Sequence, residues 1–299
     1  MSQHTSLSIL IPARNEAVAI SALLPRVKAA LAALQPERPA EIIVIDDGSN
    51  DQTGAVASAE GVRVLSLPYG MGNGAAIKKG VRAAKGEIIV CLDADGQHPP
   101  ENIADLLTKL EQGYDMVVGA RTSPEQQAGF LRALANRIYN RFASWMVGQT
   151  IADLTSGFRA VRAEHFRRFL YLLPNGFSYP TTLTMGFFRS GLSVAYVPVA
   201  AISARDSSDG NSHIRPLADG VGFFLIIFKV GAYFSPLRIF LPFSLLLFAT
   251  GLGYYVYTFV SMHRLTNMSV ILFINALLVF LIGIVSEQIT ALMYKDSDT

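Results

Sequence analysis

Residues 90–100 read VCLDADGQHPP. The run EIIVCLD (87–93) has the β-branched character of a buried strand, and it leads into two carboxylates, Asp93 and Asp95, one residue apart. Two such groups at the mouth of a strand repel each other and need solvation or a counter-charge. A carboxylate pair in that position suits a hard divalent cation, which takes oxygen ligands and accepts substrate phosphates into its shell. Gln97 adds an amide oxygen two residues on, whereas His98, beside Pro99, reads as a turn residue or a helix start. Asp-x-Asp alone is a frequent chance pattern, so its weight depends on the rest of the chain.

On either side of this strand, short β-branched runs alternate with helical patterns. SLSILI (6–11), EIIVID (41–46), VRVLSL (62–67), YDMVVGA (114–120) and residues 192–198 read as strands. Helical periodicity covers 17–34, 51–60, 74–85, 100–112 and 164–172. Continuous apolar strands separated by helices predict an α/β fold with a mainly parallel sheet covered on both faces. In such sheets ligands bind beyond the carboxyl ends of the strands. Three of those ends are polar: PARNE (12–16), DDGSND (46–51) and DADGQHPP (93–100). Their convergence on one edge predicts a single site. Arg14 and Glu16 are then ligand contacts, and Asp46 is placed to hydrogen-bond a nucleobase or ribose while Asn50 or Asp51 caps the next helix. GNGAAI (72–77) lacks the third glycine of a dinucleotide fingerprint and follows the third strand; it reads as a glycine-rich helix start near a phosphate.

The chain has 299 residues, 51% hydrophobic and 16% charged, against about 25% charged in ordinary soluble domains. The deficit is C-terminal: 239–262 and 268–286 contain no charged residue. As helices they span ~36 Å and ~28 Å, the second extendable through Tyr294, against a hydrocarbon core of ~30 Å. Two transmembrane helices, about 239–262 and 268–294, are therefore expected. The stretch 221–234, apolar but interrupted by Lys229, reads as a helix lying in the interface. The first apolar run is short, ends at Pro12 and lacks a basic leader, so a secretory signal is not expected. Lys229, Arg238 and Lys295 fall on the inner side, against Arg264 in the connecting loop, which predicts a cytoplasmic N-terminal part and C-terminus. The single cysteine, Cys91, excludes an intrachain disulfide, and a net charge of +2 does not point to nucleic acid.

PARNE, DDGS, DADGQHPPE, DLTSGFRA (153–160) and the terminal spans, in that order, resemble the family 2 glycosyltransferases, and within them the polyprenyl-phosphate glycosyltransferases of the dolichol-phosphate mannose synthase type. The resemblance implies a GT-A, Rossmann-like domain over 1–216, an interfacial helix over 217–236 and two transmembrane helices over 237–299. It implies a nucleotide-sugar donor, GDP-mannose or a UDP-hexose, Mg²⁺ or Mn²⁺, and a polyprenyl phosphate acceptor in the membrane. Homo-oligomerisation stays open. By the same resemblance Pro12, Arg14, Glu16, Asp46, Asp47 and Asp93 bind the donor nucleotide, and Asp93, Asp95 and Gln97 hold the metal. Arg121, Arg132, Arg159, Ser212 and His213 face the acceptor phosphate, and Asp93, Asp95, Asp153 and Arg205 are the catalytic set. His213 stands where this family usually has lysine, which weakens a phosphate contact and makes it pH-dependent. Asp153 either positions the acceptor or a basic residue, or caps the turn before Ser156 and Gly157. The expected reaction is a single in-line displacement that inverts the anomeric centre. Rival readings are a processive polysaccharide synthase and a catalytically silent, membrane-anchored nucleotide-sugar-binding scaffold. The first is disfavoured because its Gln-x-x-Arg-Trp signature is missing, the only tryptophan being Trp145 in ASWMVG; the second because the carboxylate motif is intact.

Overall fold

The structure is a computed structural model that describes residues 6–34, 38–121, 130–176, 179–199 and 232–295. Its strands are β1 (Leu7–Ala13), β2 (Ala40–Asp46), β3 (Arg63–Ser66), β4 (Ile88–Cys91), β5 (Met116–Arg121), β6 (Arg159–Arg162) and β7 (Val194–Val199). They form one sheet in the order β3-β2-β1-β4-β6-β5-β7. All neighbours pair in parallel except β6, which runs antiparallel to both β4 and β5. The sheet is therefore mixed and mostly parallel. β6 starts at the end of the DLTSGFRA segment and runs past it, and two arginines in its four residues hide a mostly buried strand.

Helices cover both faces. On one side α1 (Ala17–Leu34), α2 (Thr53–Ala59) and α4 (Ile103–Glu111) enclose the main core with Ile9, Ile11, Val90 and Val117. α4 shows the pattern plainly: Ile103, Leu106, Leu107 and Leu110 form its buried stripe. On the other side lie α3 (Asn73–Ala83), α6 (Ala163–Arg168) and α7 (Tyr179–Arg189), over the opposite parity of sheet residues, among them Leu10, Ile45 and Arg159. α6 is shorter than the expected 164–172, and α7 was not expected at all.

Among the described residues three helices are long and apolar enough to cross a membrane: α1, α8 (Pro236–Met262) and α9 (Asn267–Lys295), the last over its Asn267–Leu292 part. α1 is a domain helix. It buries Ile20, Leu23, Leu24 and Val27 in the core and carries Arg26 and Lys28, ion-paired to Glu101 and Glu60. The chain divides into two compact units, the second made of Trp145–Gly148, from the last turn of α5 (Phe130–Val147), and Ser212–Thr299. Within it α8 and α9 form a hairpin turning at His263 in the left-handed region (φ 51°). Small residues admit close approach: the Ser244 hydroxyl donates to the Ala276 carbonyl at 2.7 Å, and a Cβ on Gly251 would lie 3.0 Å from Leu272. Glu287 accepts the Leu237 backbone N–H at 3.3 Å. Leucines, phenylalanines and valines occupy the outward faces. The expected interfacial stretch lies mostly outside the described residues.

Candidate active site

The chain steps from β1 to β2 to β3 on one side, then crosses β1 to place β4 on the other. The order reverses between β1 and β4, and there the loops after adjacent strands part and leave a crevice. A cleft of ≈ 470 Å³ lies at that point. Pro12, Arg14 and Glu16 line it from the end of β1, Asp47 from the end of β2, and Asp93 and Asp95 from the end of β4. Gly72, Asn73 and Ala76 of the α3 start, Thr155 and Gly157, and Pro180 and Thr181 of α7 close the walls.

The first two loops are stapled together. Asn15 adopts φ 55°, a conformation uncommon outside glycine. Its N–H donates to Ser49 Oγ at 3.0 Å and its Oδ1 accepts Asn50 N–H at 2.8 Å. Glu16 N–H donates to Thr53 Oγ1 (2.9 Å) and Ala17 N–H to Asp51 Oδ2 (3.2 Å), so Asp51, which accepts the Thr53 N–H at the start of α2, serves the start of α1 as well. Burial, then Asp95 and Asp51, raise the Glu16 carboxyl above its ordinary value. The two neighbouring aspartates differ in role. Asp46 closes its own turn by accepting Ser49 N–H at 2.9 Å and is not on the cleft wall. Asp47 reaches the wall, and it accepts the N–H groups of Met71 (2.7 Å) and Gly72 (2.9 Å). The Arg14 guanidinium lies against Gly70, where a Cβ would come within 2.6 Å of Nη2.

The glycine-rich start of α3 lies on the cleft wall, but several of its amides are not free for a phosphate. Its first amides are spent on the protein: Gly74 N–H donates to Gly176 O (3.2 Å) and Ala75 N–H to Asn175 O (2.9 Å). Gly72 and Gly74 are small because the 174–176 backbone presses on them; a Cβ at Gly72 would sit 2.6 Å from the Asn175 carbonyl oxygen.

Asp93 is half-buried and Asp95 exposed. Asp95 Oδ1 accepts Gln97 N–H at 3.0 Å across a turn with Gly96 at φ 70°. Burial and then Asp95 push the Asp93 carboxyl up to about 6, opposed by Arg159 and Arg121. His98 lies in the bend that leads into the helical turn at Pro100–Asn102, as its sequence context suggested, and is buried there. Its ring stacks on Phe158 at 5.4 Å, Nε2 lies 4.0 Å from Asp93 Oδ2, and burial lowers its pKa. The donor set is all oxygen, two carboxylates with the Gln97 amide next in the loop. Among the described residues no three His, Cys, Asp or Glu side chains converge on one point. Such a part-shell fits Mg²⁺ or Mn²⁺, which complete their coordination with water and phosphate oxygens, and does not resemble a closed structural site.

Arg121 and Asp153 form a bidentate pair, Nε–Oδ2 2.8 Å and Nη2–Oδ1 3.0 Å. Asp153 also accepts the N–H groups of Thr155 (3.1 Å) and Ser156 (3.2 Å), and Arg121 donates to Thr155 Oγ1 (2.6 Å). Asp153 thus caps the turn and orients a basic side chain at once, and these bonds hold its pKa below the ordinary value despite burial. Arg159, expected at the acceptor phosphate, is a correction. It is 0% exposed, and its guanidinium is engaged by Ser156 O, Pro180 O and Thr184 Oγ1. Arg132 falls in α5 with its side chain outside the described residues, and Arg205, Ser212 and His213 lie outside them entirely. Gly157, against which the Asp93 carboxyl packs, fell inside the DLTSGFRA segment without a role of its own, and Thr181 was missed. A glycine immediately after a polar turn was the available signal for the first; nothing marked the second.

Residues 8–170 match the sequence profile of glycosyl transferase family 2, and residues 235–292 match the GtrB C-terminal hairpin. Glycosyltransferase AglJ of Haloferax volcanii is 30% identical over 299 residues, covering 96% of this chain and 94% of its own. Undecaprenyl-phosphate 4-deoxy-4-formamido-L-arabinose transferase of Serratia proteamaculans is 35% identical over 191 residues; the alignment covers 59% of this chain and 57% of that relative. Among solved structures, glucosyl-3-phosphoglycerate synthase from Mycobacterium tuberculosis, in complex with Mn²⁺, UDP-glucose and glycerol 3-phosphate, superposes with a TM-score of 0.58 at 24% identity, over 76% of this chain and 78% of that one. The domain therefore has the GT-A fold. With a profile covering more than half of the chain and a relative matched end to end, the chain belongs to glycosyl transferase family 2.

Proposed function

We propose that this glycosyltransferase is a divalent-cation-dependent, inverting enzyme that moves a sugar from a nucleoside diphosphate to a polyprenyl phosphate at the cytoplasmic face of a membrane. One observation carries the reading: the carboxylate pair and the loops after β1 and β2 share one cleft, in a chain that also holds a membrane-length helical hairpin. The undecaprenyl phosphate in the name of the Serratia relative, and the UDP-glucose and Mn²⁺ of the mycobacterial structure, support it.

Pro12, Arg14, Glu16 and Asp47 form the nucleoside side of the cleft, and Asp93, Asp95 and Gln97 are the residues that would hold the cation. Bound there, Mg²⁺ or Mn²⁺ supplies Lewis-acid neutralisation of the diphosphate leaving group. An acceptor phosphate oxygen attacks the anomeric carbon, the bond from that carbon to the diphosphate oxygen breaks, and the nucleoside diphosphate departs with the bonding pair. The acceptor already carries about −1.5 to −2 charges at pH 7, so it requires orientation rather than a strong base. Arg121, held by Asp153 and Thr155, is proposed to orient the acceptor phosphate; its fixed guanidinium supports that role. Arg132, Arg205, Ser212 and His213 are proposed to complete the acceptor side. The 1–216 domain, the 217–236 interfacial segment and the 237–299 hairpin then act as catalyst, seat and anchor for a lipid that cannot leave the bilayer.

The test uses the full chain in nanodiscs with undecaprenyl phosphate, Mn²⁺ and a panel of UDP- and GDP-sugars. Mass spectrometry should detect one prenyl-phosphate sugar, absent with EDTA and in Asp95→Ala. Binding of a donor without any lipid product in the whole panel would refute the acceptor, and no cation-dependent donor binding would refute the reading altogether.

A further inference from the structure

We propose that Arg159 is the positioning residue of the cation site: its buried guanidinium fixes the Ser156–Gly157 turn against Asp93 and holds the first turn of α7 to the same cleft. The proposal rests on the cleft being the glycosyl-transfer site.

Arg159 sits in β6 between Cys91 of β4 and Val118 of β5, wholly buried under α7. Nη1 donates to the Pro180 carbonyl at 3.1 Å and to Thr184 Oγ1 at 3.2 Å, both on α7. Nη2 donates to the Ser156 carbonyl. The guanidinium carbon lies 5.7 Å from the centre of the Tyr179 ring. Pro180 lines the cleft, and so does Gly157, the residue after Ser156. One side chain therefore ties together two walls built from segments more than twenty residues apart. The Asp93 carboxyl leans on one of them: a Cβ at Gly157 would meet its Oδ1 at 2.7 Å and its Cγ at 2.8 Å.

Stability does not explain this arginine. Among the described residues it makes no ion pair, and its Nε is buried with no hydrogen-bond partner. A buried charge with no carboxylate at ion-pair distance and with an unmatched N–H is a poor stabiliser, and apolar residues of similar volume often serve equally well or better. What the guanidinium provides is a rigid planar fork that reaches acceptors on two separate elements at once. An ammonium offers its donors from a single point and cannot reproduce that span. Because the group is inaccessible, its role is placement of the cation-binding wall and not contact with a substrate phosphate.

The experiment compares the full-length wild type with Arg159→Met, Arg159→Lys and Thr184→Val in nanodiscs. Three quantities are measured: thermal midpoint, kcat and donor KM in the transfer assay, and Mn²⁺ affinity from the free-ion electron paramagnetic resonance signal with Mn²⁺ as the only added ligand. For Arg159→Met the midpoint stays within about 4 °C of wild type. Its kcat falls about 100-fold with donor KM within about threefold, and Mn²⁺ binds about tenfold more weakly. Arg159→Lys shows the same kcat loss. Thr184→Val, which removes one acceptor and no charge, loses about tenfold in kcat. The proposal is overturned if Arg159→Met keeps both kcat and Mn²⁺ affinity, if midpoint and kcat fall together and lysine restores both, or if Thr184→Val keeps wild-type kcat. A wild type that binds Mn²⁺ yet transfers no sugar refutes the glycosyl-transfer reading instead, and the Mn²⁺ affinities of the variants still decide the role of Arg159.

Discussion

Gly157 is where the cation site can be disturbed without altering a charge. Its φ lies outside the left-handed region, so alanine adds a methyl group and no backbone strain. That methyl would face the Asp93 carboxyl, 2.7 Å from Oδ1 and 2.8 Å from Cγ, whereas ordinary contact begins at 3.4 Å. Oδ2 lies closer still, so the relief needed exceeds about 0.7 Å. The turn resists, because Asp153 accepts the Thr155 and Ser156 N–H groups and binds Arg121, and Arg159 holds the Ser156 carbonyl. Asp93 must yield, and a displacement approaching 1 Å at a reacting centre costs about 100-fold in kcat, or about 2.7 kcal/mol. Stability should hardly change, since replacing glycine restricts the unfolded chain by about 0.4–1 kcal/mol and offsets part of the clash. The assay is the initial rate of lipid-linked sugar formation over a Mn²⁺ titration, alongside a thermal melt followed by circular dichroism. A Gly157→Ala enzyme that keeps its rate within about threefold at saturating Mn²⁺ would show that Asp93 does not need the placement described.

Asp93→Asn and Asp95→Asn should each reduce cation-dependent transfer about 1000-fold, read from the same assay. Because the folded Asp93 carboxyl is pushed up to about 6 from 3.8, the native state keeps its proton longer than the unfolded chain does. Wild-type stability in EDTA should therefore fall as pH rises between those values. Urea unfolding should show that slope flattened in Asp93→Asn. Asp153 behaves with the opposite sign: its lowered pKa adds stability that is present above about pH 4 and lost as pH falls through the folded value. Arg121→Met strands this buried carboxylate and should cost about 3 kcal/mol, measured by denaturant midpoint at pH 7. Gly74→Ala directs a methyl at the Pro174 carbonyl oxygen, a backbone group with no rotamer to escape into. It should lower stability by about 2 kcal/mol, and an unchanged midpoint would contradict the close docking of the 174–176 loop.

The parts of the fold legible in the sequence were those whose residues speak for themselves. Apolar β-branched runs marked every parallel strand, and charge-free stretches marked α8 and α9. β6 escaped because its buried row contains Arg159, a residue type that reads as surface, and because four residues make too short a period to detect. α7 escaped because YPTTLTMGFFR is poor in helix formers; its polar positions are satisfied only by distant groups, as when the Tyr139 hydroxyl donates to Thr181 and Arg159 reaches Thr184. At the site, the three polar loops were visible but the direction of each side chain was not. Asp46 and Asp47 are adjacent and equally acidic, yet successive residues leaving a strand point to opposite sides, so only Asp47 reaches the cleft. Asp153 was left between a place at the acceptor, the orientation of a basic residue and a turn cap, and the resemblance put Arg159 at the acceptor phosphate. Burial, a property of the whole fold, makes them braces.

The cleft has an electrostatic problem that the bound cation would solve. Glu16, Asp47, Asp93 and Asp95 all line it, while the proposed donor and acceptor are both anions. An empty cleft thus repels its own substrates, and Arg14 is the only basic residue on the described wall to oppose that. A divalent ion reverses the local sign, so nucleotide and cation should bind interdependently, and linkage requires that each raise the affinity of the other by the same factor. For neighbouring opposite charges in a partly solvated site, coupling of about 2–3 kcal/mol, or roughly 30- to 150-fold, is expected. Calorimetric titrations of the nucleoside diphosphate whose sugar the transfer assay selects, UDP or GDP, with and without Mn²⁺, and of Mn²⁺ with and without that nucleotide, measure both arms. Equal affinity for that nucleotide in the presence and absence of Mn²⁺ would mean that the carboxylates do not stand between protein and diphosphate, and the cation would lose the place assigned to it.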